Sequence, residues 1–161
     1  MIEEKLKIWA AGFFDGEGSA LIEKTGENNY CVVVCVVNSD IRATDIFYNN
    51  WANAGVPSGA LLRGWKKTQY IHTLGSVFNK KRGYQNAKGS HKVTFNYQDA
   101  EVLLSNMLPY LIVKKEQANI ILRAIKAIRE SDKTYWQTLL PFYTELRHYI
   151  EVESPPHSFL R

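Results

Sequence analysis

The chain has 161 residues, of which 45% are hydrophobic, and a formal net charge of +4, as expected for one globular domain with a substantial core. It contains no apolar run of about 18 residues and no basic segment followed by an apolar one at its start, so we expect neither a membrane span nor a secretory signal. Cys31 and Cys35 share one predicted strand, which favours reduced thiols in an intracellular protein, and no residue set resembles a zinc site.

The first predicted element is a helix from Glu3 to Phe14, which leads into the nonapeptide A-A-G-F-F-D-G-E-G at residues 10–18. This segment begins with the small residues Ala10, Ala11 and Gly12. Small residues at helical spacing let a second helix backbone approach closely. The pattern therefore indicates a helix that is in close contact with another helix.

Two acids, Asp15 and Glu17, fall where this helix should end. A negative side chain is unfavourable there by about 0.3–1 kcal/mol, because the helix dipole already makes the C-terminus negative. A bound cation would reverse that penalty. The alternative is an ordinary core helix with a glycine-rich end.

A β-hairpin is predicted directly after the helix. Ser19 to Lys24 forms its first strand, and Tyr30 to Asn38, which is rich in β-branched residues, forms its second. Ser39 or Asp40 then caps a second helix that runs to about Ala54.

The middle of the chain is strongly basic. Residues 60–98 contain eight Lys or Arg and no acid, so all 16 acidic residues lie elsewhere. Aromatic residues and histidines, among them Trp65, Tyr70, His72 and His91, are interleaved with the basic ones. This segregation favours binding to a phosphate backbone, and the alternative is a solvated basic face without a ligand. Strands are predicted at 60–66, 69–74 and 91–97, with a mobile loop at 79–90.

The last third of the chain is helical. A helix from Gln98 or Asp99 to Leu108 is interrupted by Pro109, and Thr134 to Val152 forms the final helix. Between them a helix at 116–129 carries one apolar stripe, which consists of Ala118, Ile121, Ile125 and Ile128. We expect a single domain over residues 1–153 and a flexible tail at 154–161.

The nonapeptide resembles the signature motif of the LAGLIDADG homing endonucleases. Leu103 to Leu122 resembles a second segment of that family, with a proline-aromatic-leucine break, a lysine-containing turn and a helix opened by Q-A-N. The resemblance implies the family's α+β fold, in which an antiparallel, saddle-shaped sheet is backed by helices in the order α-β-β-α-β-β-α. The motif occurs once, which in the family implies a homodimer whose motif helices pack together. Its expected dimer residues are Ala10, Ala11, Gly12 and Asp15.

The function that the resemblance implies is double-strand cleavage of a long, roughly palindromic DNA site, leaving 3′ overhangs, by an intron-encoded enzyme. The implied cofactor is Mg²⁺. Mn²⁺ would replace it, and Ca²⁺ would bind without supporting cleavage. Such an enzyme would act inside a cell. It fits an organelle, either a chloroplast or a mitochondrion, and it fits equally the cytoplasm of a bacterium, an archaeon or a phage-infected cell.

The catalytic residues are carried over from the matching positions. Glu17 stands where the family has its metal-binding aspartate, and the Gly16 carbonyl would add a ligand. Asn38 would position the attacking water, although the family usually has glutamine or another polar residue there. Arg42 and Lys114, with Lys115 as the alternative to Lys114, would offset charge on the phosphate.

DNA reading is expected from the strands, because an antiparallel ribbon fits the major groove. If Val32, Val34 and Val36 pack on the helices, the other face of the first hairpin meets DNA, and the Cys and Val residues there would contact thymine methyl groups. The expected DNA-binding residues are Glu23, Thr25, Asn29, Cys31, Val33 and Cys35, with Arg63, Trp65, Lys67, Gln69, Lys80, Lys81 and Arg82 from the second hairpin and its loop.

Two other functions fit parts of the sequence. An RNA-splicing maturase or a catalytically silent DNA- or RNA-binding descendant would have the same fold. A structural RNA-binding module would explain the basic stretch but leaves Asp15 and Glu17 without a role.

Overall fold

A computed structural model of the protein describes residues 2–58, 67–79, 83–131 and 135–153. The helices are α1 (Glu4–Glu17), α2 (Ile41–Trp51), α3 (Tyr97–Met107), α4 (Lys115–Glu130) and α5 (Tyr135–His148), and the strands are β1 (Gly18–Gly26), β2 (Asn29–Asn38), β3 (Gln69–Asn79) and β4 (Gly83–Thr94). A 3₁₀ turn at Leu108–Tyr110 follows α3, and a π-helical turn at Tyr149–Glu153 follows α5. The expected α-β-β-α-β-β-α order is confirmed, with α4 and α5 added at its end.

The four strands form one antiparallel sheet in the order β1-β2-β4-β3. Helices α1, α4 and α5 pack on β1 and β2, whereas α2 packs on β2 and β4. Side chains alternate between the two faces of a strand, and the helix-side residues Val32, Val34 and Val36 are buried as predicted. The apolar stripe that was predicted for α4 is also buried.

The side of the sheet that faces away from the helices, which we call the open face, carries the strand side chains that do not point into the core. Its side chains include Leu21, Glu23, Cys31, Val33, Cys35, Val37, Ile71 and Lys92. Most of them are half-buried or exposed. Burial therefore separates a core side of the sheet from a side that is accessible to a partner. None of the described helices is long and apolar enough to cross a membrane.

The second hairpin differs from its prediction. The predicted strand Ala60–Lys66, the Lys80–Arg82 part of the loop and the tail at 154–161 lie outside the described residues. The predicted mobile loop at 79–90 is wrong over most of its length, because β4 already begins at Gly83 and β3 continues to Asn79. The register shifts between Thr73 and Gly75, and such a shift interrupts the alternation on which a sequence-based prediction relies.

Candidate active site

The end of α1 is tied to a segment that lies almost a hundred residues later. Asp15 accepts hydrogen bonds through Oδ2 from the backbone N–H of Ile112 (2.9 Å) and through Oδ1 from that of Lys114 (2.9 Å). Both carboxylate oxygens thus bind backbone donors within the chain. Asp15 therefore acts as a structural residue that holds the 112–114 segment against α1.

Lys114 completes this connection from the other side. Its Nζ donates to the carbonyl oxygens of Phe14 (3.0 Å) and Asp15 (3.0 Å). These carbonyls belong to the last turn of α1 and carry the negative end of its dipole, and that of Phe14 also accepts the N–H of Gly18. Partial burial lowers the pKa of Lys114, an effect that the nearby Asp15 and Glu17 carboxylates oppose. We call this set of contacts between Asp15, Lys114 and the last turn of α1 the helix clasp.

The clasp explains why α1 extends to Glu17, three residues beyond its predicted end at Phe14. Glu17 is the last helical residue and is exposed. The next residue, Gly18, donates its N–H to the Phe14 carbonyl, and a Cβ on Gly18 would lie 2.3 Å from the buried Phe14 ring. The backbone on both sides of Glu17 is therefore fixed, while its carboxylate remains accessible.

Asn38 and Arg42 lie in a second polar cluster, between the end of β2 and the start of α2. Asn38 Oδ1 accepts a hydrogen bond from the Asp40 N–H (2.8 Å). Asp40 is the N-cap of α2 and also binds the Arg42 guanidinium through both carboxylate oxygens, with the shorter contact at 2.7 Å. The Arg42 side chain is 86% exposed, so its outer surface is open to a further anion. The resemblance gave no role to Asp40, although its position before the helix identified it as a possible cap.

The expected dimer residues behave differently from one another. Ala10 and Ala11 are fully buried within the chain, so the structure contradicts their assignment to a dimer interface. Gly12 is exposed, and a Cβ built on it meets nothing within 4 Å. The exposed side of α1 carries Ile8 and Trp9, which are 49% and 39% exposed, on the same stripe as Gly12.

The open face contains most of the expected DNA-binding residues of the first hairpin. Glu23, Thr25 and Asn29 are exposed, and Cys31 and Val33 are half-buried. Cys35 is an exception, because it is only 6% exposed and lies between Ser19 of β1 and Thr94 of β4. Its expected direct contact with a base is therefore contradicted. Burial raises the pKa of both cysteine thiols, which keeps them protonated at neutral pH.

The second hairpin adds residues to the open face that the sequence prediction missed. Gln69 lies opposite Thr94 and is exposed, and Lys67, just before the strand, is exposed as well. The other residues expected from this hairpin and its loop lie outside the described residues: Arg63, Trp65, Lys80, Lys81 and Arg82. The residues that were missed there are Ile71, Thr73, Ser90 and Lys92, and the first hairpin adds Leu21 and Val37. The signal was available for Lys92, because it neighbours the buried Val93 in a strictly alternating strand.

Comparisons with known proteins identify the fold. No family model matches the chain, and no curated protein matches its sequence. The structure is similar to that of the homing endonuclease I-CvuI in complex with its target in the presence of Ca, with a TM-score of 0.53 and 17% identity over 89% of this chain and 81% of that one. It is also similar to the group I intron-encoded homing endonuclease I-CeuI complexed with DNA, with a TM-score of 0.54 and 16% identity over 91% of this chain and 68% of that one. The chain therefore has the LAGLIDADG homing endonuclease fold.

Proposed function

We propose that this protein is a homodimeric, Mg²⁺-dependent homing endonuclease that makes a double-strand break in DNA. The observation that carries this proposal is the accessible Glu17 carboxylate, held at the C-terminus of α1 by the helix clasp. An acid at a negative helix end is unfavourable without a nearby cation, and a bound metal ion would add to the single positive charge that Lys114 supplies there. The fold is shared with two DNA-bound homing endonucleases, and we therefore assign Glu17 the role of a metal ligand.

The donor set at this end of α1 suits a hard cation. Glu17 and the Gly16 carbonyl would hold the metal, because both supply the oxygen ligands that Mg²⁺ prefers. The metal would provide charge stabilisation at the scissile phosphate and favour deprotonation of a water molecule. Mn²⁺ should replace Mg²⁺, and Ca²⁺ should support binding alone.

The neighbouring side chains would position the reacting groups. Lys114 is fixed by two carbonyl oxygens, so its charge is placed beside Glu17 before DNA arrives. Preorganised charge of this kind stabilises a developing anion without reorganisation. Arg42 would bind phosphate with its exposed edge while Asp40 holds the other edge, and the Asn38 amide would orient water.

The exposed stripe of α1 is suited to contact with a second copy of the chain. Ile8 and Trp9 supply apolar surface, and Gly12 allows close approach of another helix backbone. A two-fold axis along this stripe would bring the two Glu17 carboxylates near each other, since Glu17 ends the same helix. A cleavage site assembled in this way requires a long and roughly palindromic target, and the cuts would leave 3′ overhangs.

The open face would enter the major groove of the target. Val33, Val37 and Ile71 present apolar surface suited to thymine methyl groups, while Lys92 provides a positive charge beside them. An origin inside an intron accords with this function. The enzyme would act in the organelle or cytoplasm where its target DNA resides.

A cleavage selection from random DNA would test the proposal, with the wild-type protein, Glu17→Gln and the control Glu130→Gln, whose side chain is exposed at the end of α4. We expect double-strand cleavage in Mg²⁺ by the wild type and the control. Glu17→Gln should lose at least about a thousandfold in rate and still bind the selected DNA in Ca²⁺. Binding without any cleavage by the wild type would instead favour a silent DNA-binding descendant, and preference for intron RNA would favour a maturase.

A second experiment addresses the dimer. Gly12→Leu should weaken self-association in sedimentation experiments and reduce cleavage, because a large side chain blocks close helix approach. Lys126→Leu, an exposed substitution on α4, controls for added apolar surface. A monomeric Gly12→Leu protein that still cut both strands would contradict the shared-site arrangement.

A further inference from the structure

Two histidines face each other across the second hairpin, and one of them, His91, is also the cross-strand partner of Asn38 on β2. His72 of β3 and His91 of β4 are direct cross-strand partners, and their Nδ1 atoms lie 2.7 Å apart. At this distance one Nδ1 must donate a proton to the other, so the two rings already direct their donor atoms at one point. Both side chains are accessible to solvent.

We propose that His72 and His91 form a bidentate site for a borderline transition-metal ion, Ni²⁺ or Cu²⁺. Neutral imidazole nitrogens are suitable ligands for these ions. A metal ion can bind both Nδ1 atoms only when neither carries a proton. If both rings are neutral, the ring that donates in the hydrogen bond would move its proton from Nδ1 to Nε2 when the ion binds, and no proton would leave the pair. If the pair carries one additional proton, the metal displaces that proton into solvent.

The spacing favours one coordination geometry. Metal–nitrogen bonds are about 2.0–2.1 Å long, so two nitrogens at a right angle lie about 2.9 Å apart and at a tetrahedral angle about 3.4 Å apart. The observed 2.7 Å is close to the first value. Right-angle geometry is typical of tetragonal Cu²⁺ and Ni²⁺ sites, in which water would complete the coordination.

The support around the pair fixes one ring in place. His72 packs on Tyr70 with ring centroids 4.3 Å apart, and Tyr70 packs on Tyr48 at 5.1 Å. The Tyr70 hydroxyl donates to Asp45 Oδ1 (2.6 Å) and lies 2.6 Å from Thr44 Oγ1. Such second-layer contacts orient metal ligands and raise affinity. A bound ion would join β3 to β4.

Calorimetric titration of the full chain, without a polyhistidine tag, with Ni²⁺ in a non-chelating buffer would test this site. Excess Mg²⁺ should be present to occupy sites that prefer oxygen ligands. We expect one Ni²⁺ per chain and affinity at least about tenfold weaker in His72→Gln and in His91→Gln. His148→Gln on α5 and Glu17→Gln should bind as the wild type does, which separates this site from the metal site proposed at Glu17.

A second measurement guards against variants that misfold. The melting temperature of the wild type should rise with Ni²⁺ concentration, whereas that of each His variant should stay constant, with all proteins folded by circular dichroism without metal. Cu²⁺ should give an electron paramagnetic resonance spectrum with nitrogen hyperfine structure in the wild type. Absence of Ni²⁺ binding, or equal binding by both His variants and the wild type, would overturn the proposal.

Discussion

The two hairpins of the sheet share one topology but differ in what supports them. On β1 and β2, the helix-side residues Ile22 and Val34 are 5% and 1% exposed, because helices cover them. On the same side of β3, Tyr70 is half-buried and His72 is exposed. Both strands of the first hairpin therefore contribute to the core, whereas the second hairpin contributes the fully buried Val93 and leaves the core along β3 beyond Tyr70.

The largest expected effect tests this difference with one substitution in two places. Ile22→Ala should lower the free energy of unfolding by about 2–5 kcal/mol, because it leaves a cavity in the core. Ile71→Ala, the same change on the open face of the second hairpin, where the side chain is 49% exposed, should lower it by less than about 0.5 kcal/mol. Urea unfolding at one fixed protein concentration measures both. Equal losses would show that the second hairpin is as well packed as the first.

A glycine substitution tests how firmly α1 is joined to the first hairpin. Gly18→Ala should destabilise the protein by about 1–3 kcal/mol, because the new Cβ would lie 2.3 Å from the Phe14 ring, which has no room to move. Gly16→Ala is the control, since its Cβ would meet nothing within 4 Å. Thermal unfolding of the two variants should differ clearly. A Gly18→Ala protein as stable as Gly16→Ala would mean that the junction is adaptable.

The role of the second hairpin in DNA binding can be tested through salt dependence. Lys92→Gln should reduce the slope of log affinity against log salt concentration by about 0.9, because one phosphate contact is lost. Lys126→Gln on α4 removes the same charge from the helix side of the molecule and should leave the slope unchanged. Binding is measured in Ca²⁺ to exclude cleavage. Identical slopes for the two variants would place Lys92 outside the DNA interface.

The smallest expected effect concerns the clasp and its pH dependence. The pKa of Lys114 in the folded chain lies below its ordinary value of 10.5. At a pH between the folded and the unfolded pKa, the unfolded chain therefore binds more protons than the folded chain does. The free energy of unfolding should therefore rise with pH in that window. Lys114→Met lacks this contribution, so the wild type should gain stability relative to it as pH increases, with Lys115→Met as the reference for loss of a neighbouring ammonium. A difference that is independent of pH would contradict the burial of Lys114.

The same contrast explains how far the sequence predicted the fold. The β-branched run of β2 predicts a strand through its composition, and both strands of the first hairpin were found. Leu74 is exposed, and the register shifts between Thr73 and Gly75, so no regular burial pattern identifies the strand at this point. His72 and His91 were placed in two strands, as the structure has them, but their pairing was not foreseen.

The candidate site was predicted in part, for a related reason. The position of Glu17 follows from a local motif, and Asp40 from a local capping rule. The burial of Ala10 and Ala11 does not, because small residues allow close approach equally to a helix of the same chain and to one of a second copy. In this chain α1 packs on α3, and that contact contributes to the core in which both alanines are buried. Only the three-dimensional arrangement separates these two uses of a small residue.

The helix clasp also sets the order in which the molecule can be completed during synthesis. Glu17 leaves the ribosome early, but the groups that fix the end of its helix belong to residues 112–114. Contacts of such long sequence separation form late, because a large loop must close first. A nascent chain that carries the motif therefore lacks the organised end of α1 until residues 112–114 have been made. The nuclease activity proposed for this end would then arise only after that segment has joined α1.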